Sequence, residues 1–207
     1  MHPNPAFRKP TKARNIEFAR GRGFGILSVN GQDGPLLSHV PFVLDDDAKF
    51  ARLHLVRSNP IVRNGDEAVP AVIVVSGPDS YISPDWYDDP EQVPTWNYVA
   101  VHLRGVLRAV PQGRLREDLA ILTEVFESQL SPKPQWKLDK MTDEGLDRML
   151  RMICPYRFVI QSIEGTWKLN QNKPDALRLM AADHVEQNGI GHHVQQLAEG
   201  MRHPPED

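Results

Sequence analysis

The densest group of side chains able to hold a ligand lies in Tyr81-Ile-Ser-Pro-Asp-Trp86-Tyr87 and, past a short acidic loop, in Val93-Pro-Thr-Trp96-Asn97-Tyr98. Five aromatic residues fall within those 18 positions, in a chain whose aromatic content is 7%. Pro84 and Pro94 break any helix here, so the rings are expected at loop and strand ends. Rings fixed by rigid turns can wall a flat pocket, with hydroxyl and indole N–H groups left to meet polar atoms; the same rings can equally be core. A second group is cationic and amide-bearing: His54, Arg57, Ser58 and Asn59; His102 and Arg104; and Lys168, Asn170, Asn172 and Lys173 in Thr166-Trp-Lys-Leu-Asn-Gln-Asn-Lys173. Such side chains at strand ends can hold a phosphate, although each alone reads more readily as solvated surface.

Other chemistries lack their residues. No HxxxH or HExxH spacing occurs, His192 and His193 are adjacent, and one cysteine cannot build a structural zinc site, so no metal is expected. There is no Gly-x-Ser-x-Gly elbow, and Ser38-His39 are strand neighbours that point to opposite faces. GxGxxG and GxxxxGK[ST] are both missing, which removes the usual dinucleotide and P-loop cradles. Cys154, in Met152-Ile-Cys-Pro, reads as a buried structural thiol.

The elements that must position these residues begin with a helix capped by Thr11, running through Arg20 and ended by Gly21 and Gly23. Strands are expected over 24–29 and 36–43, joined through Asn30-Gly31 and Asp33-Gly34, and over 50–56. The apolar run 69–75 reads as a strand buried on both faces, with Pro70 at its start. Over 97–110, Val99, Val101, Leu103 and Leu107 share one strand face, while Tyr98, His102, Arg104 and Arg108 share the other. Leu115, Leu119, Leu122, Phe126 and Leu130 form a helical stripe that Pro132 and Pro134 end. Thr142 caps a second helix with Leu146, Met149, Leu150 and Ile153 on its apolar side, and a strand follows over 156–163. Pro174 opens a helix bearing Leu177 and Met180, and a last short helix follows Gly189 and Gly191. Early strands with tight turns and late helices predict an α+β fold, a small antiparallel barrel with peripheral helices.

The chain has 207 residues and a formal charge of −3, from 24 basic and 27 acidic residues, which gives no general footprint for nucleic acid. The best candidate for one is local: Lys9, Lys12, Arg14, Arg20 and Arg22 against Glu17, a pattern that also suits a solvated helix. Met1-His-Pro-Asn-Pro starts no signal peptide, and no run of residues is long and apolar enough for a membrane span, so a cytoplasmic protein without membrane partners is expected.

Ser38-His-Val-Pro41, His54-Leu-Val-Arg-Ser-Asn-Pro60, Gly77-Pro-Asp-Ser-Tyr-Ile-Ser-Pro-Asp-Trp-Tyr87, Val93-Pro-Thr-Trp-Asn-Tyr98, Val101-His102 and Lys168-Leu-Asn-Gln-Asn-Lys173 together resemble the PaiB-type FMN-binding negative transcriptional regulator family, in order, from about residue 1 to 200. Asn170 stands where that family usually has serine. The resemblance implies an FMN-binding split barrel, similar to pyridoxamine 5′-phosphate oxidase. It would be one domain over 1–200, with helical additions at about 114–153 and 174–200 and a disordered tail at 201–207. It implies a homodimer with FMN between the subunits. Arg57, Ser58 and His102 would lie near the phosphate or ribityl chain, and Ser76, Tyr81 and Ile82 along a strand edge beside the flavin. Trp96 and Asn97 would lie near the ring, and Lys168, Gln171 and Asn172 would come from the partner. No catalytic residue is assigned; the redox chemistry would be the flavin's, with NAD(P)H or another small molecule as the unidentified substrate. The alternatives are a transcriptional regulator acting by DNA or protein contact, or a split barrel without flavin that serves as a binding module.

Overall fold

Thr11 opens the chain's first α-helix, its Oγ1 accepting the Arg14 N–H at 3.2 Å. A computed structural model describes residues 1–63, 68–87, 89 and 91–205. In chain order the elements are α1 (Lys12–Arg22), β1 (Phe24–Gly31), β2 (Gly34–Pro41), β3 (Val43–Leu44), β4 (Phe50–Val56), α2 (Pro60–Arg63), β5 (Ala68–Ile82) and β6 (Thr95–Ala109). They continue with α3 (Leu115–Ser128), α4 (Asp143–Leu150), β7 (Ile153–Lys168), α5 (Asp175–Asn188), β8 (Gly191–His192) and α6 (Val194–Arg202). Gly23, at φ +55°, stops α1 and turns the chain into β1, a conformation a side chain would strain.

The strands hydrogen-bond in the order β2-β1-β5-β6-β7-β4-β3, with β8 on β5. The pairs β1–β2, β1–β5, β3–β4, β4–β7 and β5–β8 are antiparallel. Gly31 faces Gly34, so the expected hairpin closes over a two-residue loop. No helix among the described residues is long and apolar enough to cross a membrane.

The chain divides into two compact units, one of Met1–Phe18, Val75–His102 and Ile163–Asp207, the other of Ala19–Val74 and Leu103–Ser162. In the first, Ile82, Tyr87, Val99, Trp167 and Leu169 form a core with Ala181, Ala182 and Val185 of α5 and Leu197, Ala198 and Met201 of α6. In the second, Leu27, Val29, Leu53, Leu55, Ile73, Leu103, Leu107, Leu115, Leu122 and Phe158 are buried. Each such side chain contributes about 1.5–3 kcal/mol of transfer free energy.

Several expectations need correction. The 69–75 segment is part of a 15-residue strand, and it alternates buried and half-buried residues instead of being covered on both faces. Polar residues from Ser76 to Tyr81 hide the rest of that strand from any apolar pattern. The strand expected over 156–163 is β7, which includes Pro155 and Ile153, so Ile153 leaves the helix assigned to it. Leu130 lies past the end of α3 and, like Met149, is exposed. Cys154 is half-buried, on β7 opposite Leu55, and not fully enclosed. Pro84 does not exclude helical turns: Pro84–Tyr87 is a 3-10 turn, to which Pro's fixed φ is suited at the first position. The stretch 201–207 begins inside α6, and Glu206 and Asp207 lie outside the described residues.

Candidate ligand-binding site

In the first unit the aromatic block separates into two populations. Tyr87 is fully buried, and its Oη accepts a 2.8 Å bond from Asn170 Nδ2. Burial pushes the phenol's pKa up, against the smaller downward pull of that bond. Trp86 packs at the rim of the same core and stacks on His184, centroids 5.7 Å apart. Tyr81, on β5, and Trp96, on β6, are the other population: their rings meet edge to face at 6.3 Å, and Trp96 keeps 47% of its surface exposed.

Next to Trp96, Thr95 Oγ1 accepts a bond from Lys168 Nζ, and that ammonium also lies 5.9 Å from the Phe7 ring centroid. Desolvation first, and the charge of Lys173 second, hold the Lys168 pKa below its ordinary 10.5. Lys173 bonds to Gln92 Oε1 and stands 4.6 Å over the Tyr87 ring. Gln171 is turned to its own backbone: Oε1 accepts from Leu169 N–H at 2.8 Å and Nε2 donates to the Trp167 carbonyl. It shapes the turn that follows Lys168. Asn170 sits there at φ +62°, a region asparagine tolerates better than serine, so its departure from the family residue has a backbone reason. Asn172 is exposed.

Ile82 and Asn97 present buried side chains, so whatever they offer a ligand is main-chain. Asn97 Nδ2 lies 3.5 Å from Met201 Sδ, and its Oδ1 has no hydrogen-bond partner among the described residues. The β5 edge at Tyr81 is not open: its N–H donates to the Ile190 carbonyl at 3.2 Å, beside the β8 pairing with Asp79 and Ser80. Ser76 is exposed and His102 half-buried.

In the second unit, Arg57 and Ser58 form the exposed turn after β4. Arg57 Nε donates to the Arg151 carbonyl at 2.9 Å, and Nη2 lies 3.4 Å from both Gln112 Oε1 and the Ile153 carbonyl. Nη1 takes part in none of these bonds. Gln112 in turn donates to the carbonyls of Leu150 and Ile153. Asn59 braces the same turn through Ser38 Oγ and the Ile61 N–H. His54, on β4, is half-buried with no partner for Nδ1 among the described residues, and desolvation lowers its pKa from 6.5.

Sequence reasoning missed three supporting groups. Thr95 and Gln112 hold candidate cations in place but carry no pattern of their own. Asn15 accepts the Trp167 indole N–H at 2.8 Å and is itself buried. A Cβ on Gly165 would come 2.0 Å from Asn15 Oδ1, so this close approach requires glycine. The basic residues of α1 are partly used within the chain: Arg14 pairs with Glu17 at 2.9 Å, and Arg20 donates to the carbonyls of Leu44, Asp45 and Asp46. No cluster of metal-ligating side chains is found among the described residues.

Residues 1–162 match the profile of the family described as "Putative FMN-binding domain". The chain belongs to that family. It is 30% identical over 200 residues to Protease synthase and sporulation protein PAI 2 of Bacillus subtilis, with 95% of each chain covered. Among solved structures it is similar to the FAD and heme binding protein from Mycobacterium smegmatis, with a TM-score of 0.58 at 14% identity over 89% of this chain and 82% of that one. It is also similar to the flavocytochrome Anf3 from Azotobacter vinelandii, with a TM-score of 0.55 at 8% identity over 81% and 72%. At such identities these two likenesses establish the fold, which is the α+β split-barrel class expected from the sequence, an antiparallel sheet with peripheral helices.

Proposed function

We propose that this protein binds FMN between two copies of the chain and that the bound flavin supports oxidoreductase chemistry on a small molecule. The observation that carries the reading is the exposed Trp96 ring, braced by Tyr81 and adjacent to the Thr95–Lys168 contact, in a chain of a family named for this cofactor. An exposed indole and a fixed ammonium suit a flat ring bearing carbonyl groups, and an arginine with nitrogen donors to spare suits a phosphate. Trp96 and Tyr81 would then flank the ring, with Ile82 and Asn97 contributing main-chain groups. Arg57, Ser58 and His102 would serve the phosphate and ribityl chain, while Ser76 borders the ligand. Lys168, which bonds to Thr95 of its own chain, would serve the ring from that chain and not from the second copy; Asn172 would be supplied by the second copy, and Gln171 would hold the turn that follows Lys168. Flavin supplies the electron transfer; the protein's part is to bind, orient and exclude water.

The test is an absorbance spectrum of the purified protein with and without added FMN, followed by gel filtration. Flavin colour travelling with a dimer supports the reading, and Trp96→Ala and Lys168→Met should each weaken FMN binding about tenfold or more. A dimer that stays colourless in excess FMN sinks it and leaves a binding module or a regulator without flavin chemistry. DNA contact through α1 is the weaker form of that alternative, because Arg14 and Arg20 already have partners within the chain.

A further inference from the structure

A cavity of about 280 Å³ lies in the second unit, between the outer face of α3 and the segment that leads to the 3-10 turn Leu138–Lys140. Its lining is Ala120, Thr123 and Glu124 from one face of the helix, at i, i+3 and i+4, and Gln135 to Leu138 from the segment above. One carboxylate fixes that segment over the helix. Glu127 Oε2 accepts the Trp136 backbone N–H at 2.7 Å and also bonds to Lys133 Nζ. Those bonds, the Lys133 contact first, keep the Glu127 carboxyl pKa below its ordinary range, so the clasp stays ionised at neutral pH.

The polar groups around this cavity are not spent on the fold. Glu124 and Lys137 form no ion pair with another described residue, and the Trp136 indole N–H donates to none. Lys133 is committed to Glu127, and Lys140 adds its charge at the same carboxylate without lining the cavity. The cavity thus offers one carboxylate, one ammonium, a threonine hydroxyl, an indole, and apolar surface from Ala120 and Leu138. We propose that it binds a free α-amino acid with an apolar side chain: Glu124 meets the α-ammonium, Lys137 the α-carboxylate, and Trp136 covers the side chain. Size agrees, since about 280 Å³ is the space of about nine waters at ~30 Å³ each, enough for one amino acid. Charge agrees as well: a phosphate would face Glu124 with Lys137 as the one cation in the lining, whereas a zwitterion satisfies both groups.

The site is independent of the flavin reading, and its test reads out without flavin. Isothermal titration and saturation-transfer NMR on the full chain, with and without FMN, would use L-leucine, L-phenylalanine, leucinamide and 4-methylpentanoate as probes. The expected result is saturable millimolar binding of the two amino acids, about tenfold weaker for the amide and the acid that each lack one charge. Glu124→Gln should cost the amino acids affinity and leave 4-methylpentanoate unchanged. Lys137→Gln should do so while leaving leucinamide unchanged. Both are exposed substitutions, and a thermal unfolding midpoint equal to that of the parent protein confirms that the fold is kept. No saturable binding of either amino acid, or binding that neither substitution alters, would overturn the proposal. Binding of the acid alone as tightly as the amino acid would also overturn it.

Discussion

Asp118 shows how one side chain settles a conflict that two strands create. Arg52 and Arg157 stand directly opposite each other on β4 and β7, a like-charge pair that would repel. Asp118, only 2% exposed on α3, takes Arg157 in a bidentate pair at 2.7 and 2.6 Å and lies 3.6 Å from Arg52 Nε, while both guanidinium groups stack on Phe50. Removing the carboxylate leaves two half-buried cations facing each other, so Asp118→Ala should lower unfolding stability by about 3–5 kcal/mol in urea. A loss below about 1 kcal/mol would mean the pair is screened as surface pairs are. The sequence did hold a signal, because Asp118 interrupts the apolar face between Leu115 and Leu122. His54 gives the second residue-scale expectation. Its folded pKa lies below 6.5, so as pH falls through 6.5 the unfolded chain takes up the proton first and this group's contribution to stability is lost towards the folded pKa. The urea midpoint should therefore fall between about pH 7.5 and about pH 5, and His54→Gln should make that fall shallower. An unchanged slope would remove His54 from the acid response.

At the scale of elements, the turn that ends β7 depends on two backbone conditions. Gly165 lets Asn15 approach closely enough to accept the Trp167 indole, and Asn170 holds a left-handed conformation while bonding to Tyr87. Asn170→Gly removes the bond and the buried side chain without straining the backbone, at about 1–2 kcal/mol. Asn170→Ala adds the left-handed penalty and should cost about 2–4 kcal/mol. Thermal unfolding of the two variants checks the order; alanine as benign as glycine would show that the turn relaxes. Elements with a strong period were readable from the sequence: α3 from its leucines, and the two faces of β6 from alternation around Val101. The far half of β5 was not, because Ser76 to Tyr81 have no apolar alternation and their strand geometry depends partly on β8, more than a hundred residues later. Aromatic spacing identified Trp96 and Tyr81, but it could not show that Tyr87 is spent on the core.

For the whole molecule, motif order along the chain announced the family, and the strand-rich start with late helices announced the fold class. What no single-residue pattern could convey is that two cations singled out by the sequence are already held by carbonyls and hydroxyls, Arg57 by Arg151 and Lys168 by Thr95. If those contacts pre-position the cations, Gln112→Ala should weaken FMN binding, by about threefold to tenfold, without unfolding the protein. FMN titration against an unchanged melting midpoint is the check, and unaltered affinity would separate Arg57 from the ligand.

The two units are also interleaved in the order of synthesis. The unit of Ala19–Val74 and Leu103–Ser162 has all its residues once Ser162 has left the ribosome, but the other unit lacks β7's final turn, α5 and α6 until the segment from Ile163 onward is made. Tyr81 and Trp96 are translated early and must wait, uncovered, for Trp167, Lys168 and the helices that complete their surroundings. A nascent chain stalled before Ile163 therefore exposes its aromatic block to chaperones, and the last quarter of translation decides when that block is first enclosed.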